Sequence, residues 1–315
     1  MDDEGGTTLV RIANDPADWF EHSLRLLFEN VVVQLPNALD PAQIEGIHDM
    51  RVATRRLRSA LRDIELAAGG HPAKLASKGF KSLADTLGAV RDEDVAIDVL
   101  GKLAIDPDAE HVRNGIDSLV QTRRDRRDAA FTELQNELSV DFQQDLRHRF
   151  ETSLESLLAE IRRSPFPDIS AFGSKVVGSL LDELGPLGVR LYDPFDRKTL
   201  HNARIATKRL RYAIDLFAEC WGDAAKPFSK EFARMQGFLG DAHDRDVWMD
   251  DLYRLIKTSK HAITAEDPEL EAAAWLISEF VKERTKSYRD ALRLWMEWQK
   301  NGVFRELGDL KAGKR

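Results

Sequence analysis

The sequence predicts an all-α protein built as two tandem antiparallel four-helix bundles, related by a pseudo-twofold axis. Three observations lead there. Apolar residues recur at intervals of three and four through the long stretches, strand-like alternation of useful length is absent, and one basic phrase occurs twice. His48-Asp49-Met50-Arg51-Val52-Ala53-Thr54-Arg55-Arg56-Leu57-Arg58 returns 153 residues later as His201-Asn202-Ala203-Arg204-Ile205-Ala206-Thr207-Lys208-Arg209-Leu210-Arg211. Repeated His, Arg and Lys in an otherwise acidic chain suggest an anion-binding site built twice.

The 315 residues suffice for two domains that each bury a core. We expect a loose N-terminus over 1–14, where apolar anchors are few, then a first bundle over 15–164 and a second over 165–310. Pro165-Phe166-Pro167 is the natural boundary. The first helix opens at Trp19-Phe20 and runs through Leu24, Leu27, Phe28 and Val31 to Leu35, with Pro36 as its stop. The basic phrase follows Asp40-Pro41, which reads as an N-cap and a first-turn proline. Next, Lys74 and Lys78 precede Leu87-Gly88-Ala89-Val90-Arg91-Asp92-Glu93-Asp94-Val95. A long charged helix is expected over 109–137, carrying Arg124 and Arg127.

The second half repeats this order. Phe172, Val176, Leu180, Leu184 and Pro186 match the first helix. Asp193-Pro194 precedes the second basic phrase. Lys226 and Lys230 precede Leu239-Gly240-Asp241-Ala242-His243-Asp244-Arg245-Asp246-Val247, at an offset of 152. A helix over 267–300 carries Lys286 and Arg289 in place of Arg124 and Arg127. The nearly constant offset argues for one duplicated unit.

On a helical wheel, His48, Arg51, Arg55, Arg58 and Arg62 share one sector, and Leu57, Leu61 and Ile64 lie opposite. His201, Arg204, Lys208 and Arg211 occupy the same sector of the second phrase, backed by Leu210, Ile214 and Phe217; Arg56 and Arg209 sit beside the stripes. Like charges at this spacing repel, by roughly 0.2–0.5 kcal/mol per exposed pair. The stripes contain no Glu, so another helix or a ligand must supply the counter-charge. Arginine's planar fork suits phosphate, and helix N-termini near the histidines also favour anions. The net charge of −8 argues against nucleic acid as the partner, since domains that bind it generally are usually basic overall. The six tryptophans read mostly as core and do not interleave the stripes, so a base-stacking platform lacks its aromatic part.

Asp92, Asp94, Asp244 and Asp246 admit three readings. They begin helices and pair with stripe arginines; they hold Mg²⁺; or they serve a metal-dependent phosphohydrolase. The His48-Asp49 and His243-Asp244 steps that would support hydrolysis fall in different parts of the repeat. Glu45-Gly46-Ile47-His48 has no acidic counterpart at Lys198. No P-loop, Gly-x-Ser-x-Gly or His-Glu-x-x-His is present. Cys220 is the only cysteine, which leaves no intrachain disulfide and no Cys-based zinc site. The pairing reading is the one we expect, with no cofactor and no metal. The acidic start is unlike a secretory signal, and no apolar run approaches the ~20 residues of a membrane span. A cytoplasmic protein with no membrane partner is the expectation.

The helix phrase His-x-x-Arg-x-x-x-[Arg/Lys]-Arg-Leu-Arg, followed by Leu-Gly-x-x-[Arg/His]-Asp-x-Asp-Val, resembles the conserved histidine α-helical domain family, CHAD. The resemblance spans roughly 15–310 and includes both motifs in both halves. It implies two four-helix bundles with basic residues lining a central groove, binding of inorganic polyphosphate, association with polyphosphate granules, and no activity of its own. Some relatives carry a triphosphate tunnel metalloenzyme domain, whose Glu-x-Glu-x-Lys signature is absent here; a stand-alone binding module is expected. Carried over by position, His48, Arg51, Arg55, Arg56, Arg58, His201, Arg204, Lys208, Arg209 and Arg211 would contact phosphate. Arg91 matches the motif arginine, and His243 departs from it. Lys74, Lys78, Lys226, Lys230, Arg124, Arg127, Lys286 and Arg289 would extend the surface.

Overall fold

The computed structural model describes residues 15–43, 45–69, 71–105, 107–259 and 267–311; the expectation for 1–14 lies outside them. The described chain is α-helical throughout, with no strand among these residues. In order, the helices are α1 (Pro16–Val33), α2 (Leu35–Leu39), α3 (Gly46–Ala68), α4 (Lys74–Lys102), α5 (Arg113–Glu137), α6 (Val140–Arg163), α7 (Ile169–Arg190), α8 (Arg197–Leu216), α9 (Ala218–Trp221), α10 (Lys226–Thr258), α11 (Pro268–Asn301) and α12 (Val303–Lys311). Short 3-10 segments precede α5 and α10.

Local signals explain most of the boundaries. Asp15 caps α1, its carboxylate accepting from the Ala17 N–H at 2.8 Å, with Pro16 preset for the first turn. Asp168 caps α7 through the Ala171 N–H at 2.8 Å, and Gly302 closes α11 at φ +71°. Two proline expectations are corrected. Pro36 opens the short α2 after α1 has ended at Val33. Pro186 lies inside α7, which runs one more turn to Arg190, so the missing N–H costs one helical hydrogen bond near the end of the helix.

The Asp-Pro steps also act differently from expectation. The Asp40 carboxylate accepts from the Ala42 N–H and that of Asp193 from the Phe195 N–H, both at 2.9 Å. Each forms an Asx turn that redirects the chain before the helix begins. The cap of α8 is Asp196, which accepts from the backbone and the hydroxyl of Thr199 at 3.0 and 2.7 Å. The basic helices thus start at Gly46 and Arg197.

Helices α1, α3, α4 and α6 pack around one another, as do α7, α8, α10, α11 and α12; α3 also packs on α7 and α8. One apolar core runs through both groups. Phe20 meets Phe172 edge-on at 4.7 Å, and Trp19 stacks on Phe217 at 5.8 Å. Aromatic pairs of this kind add about 0.5–1.5 kcal/mol each beyond their buried area.

A second apolar cluster joins the C-terminal ends of α4 and α10 to α5 and the start of α11. It contains Val112, Ile116 and Leu119 from one side and Trp248, Leu276 and Phe280 from the other. The α5–α11 crossing needs Gly115. A Cβ there would overlap the Pro268 carbonyl and lie 2.6 Å from the Ala272 methyl. α3 packs directly against α8.

Candidate anion-binding site

The apolar backs of the basic helices fix the aim of their charged faces. Leu57, Leu61 and Ile64 of α3 and Leu210, Ile214 and Phe217 at the end of α8 are fully buried. The arginine and lysine stripes are thereby turned into the cleft between the two helices.

Two adjoining cavities open there. The first, about 390 Å³, is bounded by His48, Arg51 and Arg55 of α3, Arg91 and Asp92 of α4, Arg204 of α8, and Gln236, His243, Asp244 and Trp248 of α10. The second, about 620 Å³, is bounded by Arg55, Arg58 and Arg62 of α3, Lys74, Lys78 and Lys81 of α4, and Lys208 of α8. Arg55 belongs to both.

The cations of this cleft are poorly neutralised. Arg51 reaches Asp92 at 3.6 Å and Arg62 reaches Asp63 at 3.2 Å. Among the described residues, His48, Arg55, Arg58, Arg204 and Lys208 have no ion pair within 4.0 Å. The buried Nε atoms of Arg55 and Arg204 and the buried Nδ1 of His201 lack hydrogen-bond partners. Such groups are costly unless something else satisfies them.

The titration behaviour reflects the same excess charge. Burial, then the neighbouring Arg204, Arg55, Arg62 and Arg51, pull the Lys208 ammonium down to about 7. Burial, with Arg204 and His201 beside it, lowers His243 to about 4. His201 is lowered by burial, Arg204 and Lys208, and its ring lies 4.6 Å from that of His243. Burial raises the Asp244 carboxyl against the pull of Arg204 and Arg245. At neutral pH His201 and His243 are thus neutral donors rather than cations.

Some expected contacts fall elsewhere. Arg56 is exposed on the opposite side of the helix pair, in a cavity with Trp19, Leu27 and Glu219. Arg209 pairs with Glu183 at 2.5 Å and approaches the buried Asp63 at 3.5 Å, tying α8 to α7 and α3. Arg211 donates to Gln236 at 3.2 Å, at the edge of the first cavity. Arg127 pairs with Asp94 at 3.1 Å and lies over the Phe131 ring. Lys226 pairs with Asp223 at 2.7 Å. Arg124, Lys230, Lys286 and Arg289 are exposed and line neither cavity.

The motif aspartates do not begin helices. They lie in the middle of α4 and α10. Only Asp92 meets a stripe arginine. Asp94 is held by Arg127, and Asp246 by Arg284 at 3.0 Å and Arg197 at 3.2 Å. These pairs orient neighbouring helices rather than the stripes. Among the described residues, no group of three or more His, Cys, Asp and Glu side chains is arranged to hold a metal. Burial pushes the Cys220 thiol up to about 11, far from a reactive thiolate.

Three contributors were not singled out from sequence. Gln236 and Trp248 share a face of α10 with Asp244, at intervals of eight and four residues, and helical periodicity drawn from Asp244 finds both. The Tyr212 ring lies between Arg55 and Arg211, each guanidinium 5.6 Å from its centre. This is cation–π distance, but Tyr212 has no signature outside the folded chain.

Helices that bring two basic phrases to one cleft define a class: all-α proteins with an unneutralised cationic groove. This chain belongs to the CHAD domain family, whose model matches residues 22–253. A crystal structure of the CHAD domain from the plant Ricinus communis superposes with a TM-score of 0.69 at 24% identity, covering 91% of this chain and 92% of that one. PptA from Streptomyces chartreusis superposes with a TM-score of 0.62 at 14% identity, covering 89% and 99% respectively. Both likenesses are of fold. No curated protein matched this sequence. Among the described residues, no helix is long and apolar enough to cross a membrane.

Proposed function

We propose that the chain is a non-catalytic binder of inorganic polyphosphate, acting in the cytoplasm at polyphosphate granules. The observation that carries this reading is the convergence of Arg51, Arg55, Arg204 and Lys208 on adjoining cavities with one weak ion pair among them. A linear polyanion supplies the missing negative charge along the whole cleft. Arginine forks grip phosphate oxygens in pairs, and a neutral His243 donates without adding repulsion. Once one cavity is engaged, the rest of the chain binds as an intramolecular event.

Titration with polyphosphates of defined length, at two salt concentrations and with RNA as competitor, tests the reading. Long chains should bind far better than pyrophosphate, and affinity should fall steeply with salt. Arg51→Ala with Arg204→Ala should weaken binding by roughly two orders of magnitude or more, since charge-assisted hydrogen bonds contribute about 1.5–3 kcal/mol each, while far-UV circular dichroism stays unchanged. Unaltered affinity at matched ionic strength would reject the site. Displacement by RNA at equal phosphate concentration would favour a nucleic-acid module instead.

The hydrolase alternative asks Asp92, Asp94, Asp244 and Asp246 to hold a metal. Arg127 holds Asp94, and Arg197 and Arg284 hold Asp246, which supports binding over hydrolysis. Sustained orthophosphate release with Mg²⁺ or Mn²⁺, abolished by Asp94→Asn, would overturn the non-catalytic reading.

A further inference from the structure

Lys208 differs from every other lysine that faces the cleft. Lys74, Lys78 and Lys81 are exposed on α4. Lys208 is partly buried on α8, lines the second cavity, and has no carboxylate within ion-pair distance among the described residues. Its surroundings are cationic on both sides: Arg204 on its own helix, and Arg51, Arg55 and Arg62 on α3. Across the cavity stand Lys74, Lys78 and Lys81 of α4, with Glu65 of α3 the acidic group on the wall. An amine crowded by guanidiniums sheds its proton readily. The same guanidiniums attract phosphate. A free amine and a phosphate-recruiting wall therefore share one compartment.

We propose that Lys208 is a site of covalent acylation by small acyl phosphates, recruited through their phosphate by the arginines around it. This rests on the anion-binding reading of the cleft. The Lys208 Nζ lone pair attacks the acyl carbonyl carbon and a C–N bond forms. The bond between that carbon and the phosphate oxygen breaks, and the amine proton passes to the departing phosphate. The products are an amide on Lys208 and one hydrogen phosphate; no oxidant, reductant or metal is consumed. Arg55, Arg58 and Arg62 stabilise the charge that gathers on the leaving group. The amide removes one positive charge from the cleft, so acylation should lower polyphosphate affinity.

The test treats the full chain with acetyl phosphate at pH 7 and follows each lysine by peptide mass spectrometry. An amine titrating near neutrality carries on the order of a thousandfold more free base than an ordinary lysine. Lower nucleophilicity offsets part of this, as for thiols, and a rate about tenfold or more above Lys175 and Lys230 is expected. Those two are exposed and line neither cavity of the cleft. A Lys208 rate equal to or below theirs overturns the proposal. Acetic anhydride, an uncharged reagent, gives the second measurement. The Lys208 advantage should shrink with it, and an advantage as large as with acetyl phosphate would overturn recruitment by the arginines. Polyphosphate titration reads the other claim separately. A protein that binds long chains but leaves Lys208 unmodified rejects only the acylation; one acylated at Lys208 that binds no polyphosphate rejects only the polyphosphate reading.

Discussion

Lys208 carries in one side chain the conflict on which the site depends. Its folded-state pKa of about 7 lies below the unfolded value of about 10.4, so folding disfavours its protonated form. The cost is fully present below about pH 7 and is relieved as pH rises through the window up to about pH 10. Lys208→Met should therefore raise the thermal midpoint of the ligand-free protein at pH 6.5, and the advantage should fade toward pH 9. The same substitution should weaken polyphosphate binding. Parallel melting curves for both proteins across this range would show that Lys208 is not strained. Sites tuned for ligands often trade stability for function in this way. The sequence showed that Lys208 lay on the stripe, because a three-four spacing is readable without coordinates. It could not show which neighbours crowd the ammonium, since three of them, Arg51, Arg55 and Arg62, reach it from a helix about 150 residues away in the chain.

At the scale of an element, α8 divides its cations between two tasks. Lys208 faces the cleft, whereas Arg209, one residue on and about 100° around the helix, ties α8 to Glu183 and Asp63. Asp63 is 1% exposed, and breaking a buried pair by removing one partner costs roughly 3–5 kcal/mol. Because Arg62 also holds Asp63, Arg209→Ala should cost the lower end of that range. Chemical denaturation would measure it. Polyphosphate affinity of the folded protein should change much less than in Arg204→Ala. Equal loss of affinity in both variants would place Arg209 in the binding surface. The family motif carries Arg209 without saying which way it faces, and a wheel drawn for α8 alone puts it beside the stripe. Its partners come from α7 and α3, so its structural role is fixed only when the helices assemble. The Asp-Pro steps were misread for a related reason: an aspartate before proline serves an Asx turn as readily as a helix cap.

For the whole molecule, an acidic protein keeps a concentrated positive cleft because most of its carboxylates lie elsewhere, with Asp92, Asp244 and Glu65 on the cleft walls. Asp94, Asp246 and Glu93 secure arginines on α5, α8 and α11, while among the described residues most of the cleft cations stay unpaired. The helical class was legible from periodicity, and the cleft from the repeated phrase. The second apolar cluster, which clamps α4 and α5 to α10 and α11, was not, because its residues look like any helix interior until they meet. Arg55 belongs to both cavities, and that has a consequence for stoichiometry. Two separate pyrophosphates would compete for one guanidinium, so the second should load less tightly than the first. Isothermal titration should show two unequal pyrophosphate events, and Arg55→Gln should make them more alike. A continuous chain meets no such rivalry, since its own backbone passes the shared residue once; length discrimination then follows from a single side chain serving as the doorway between two rooms.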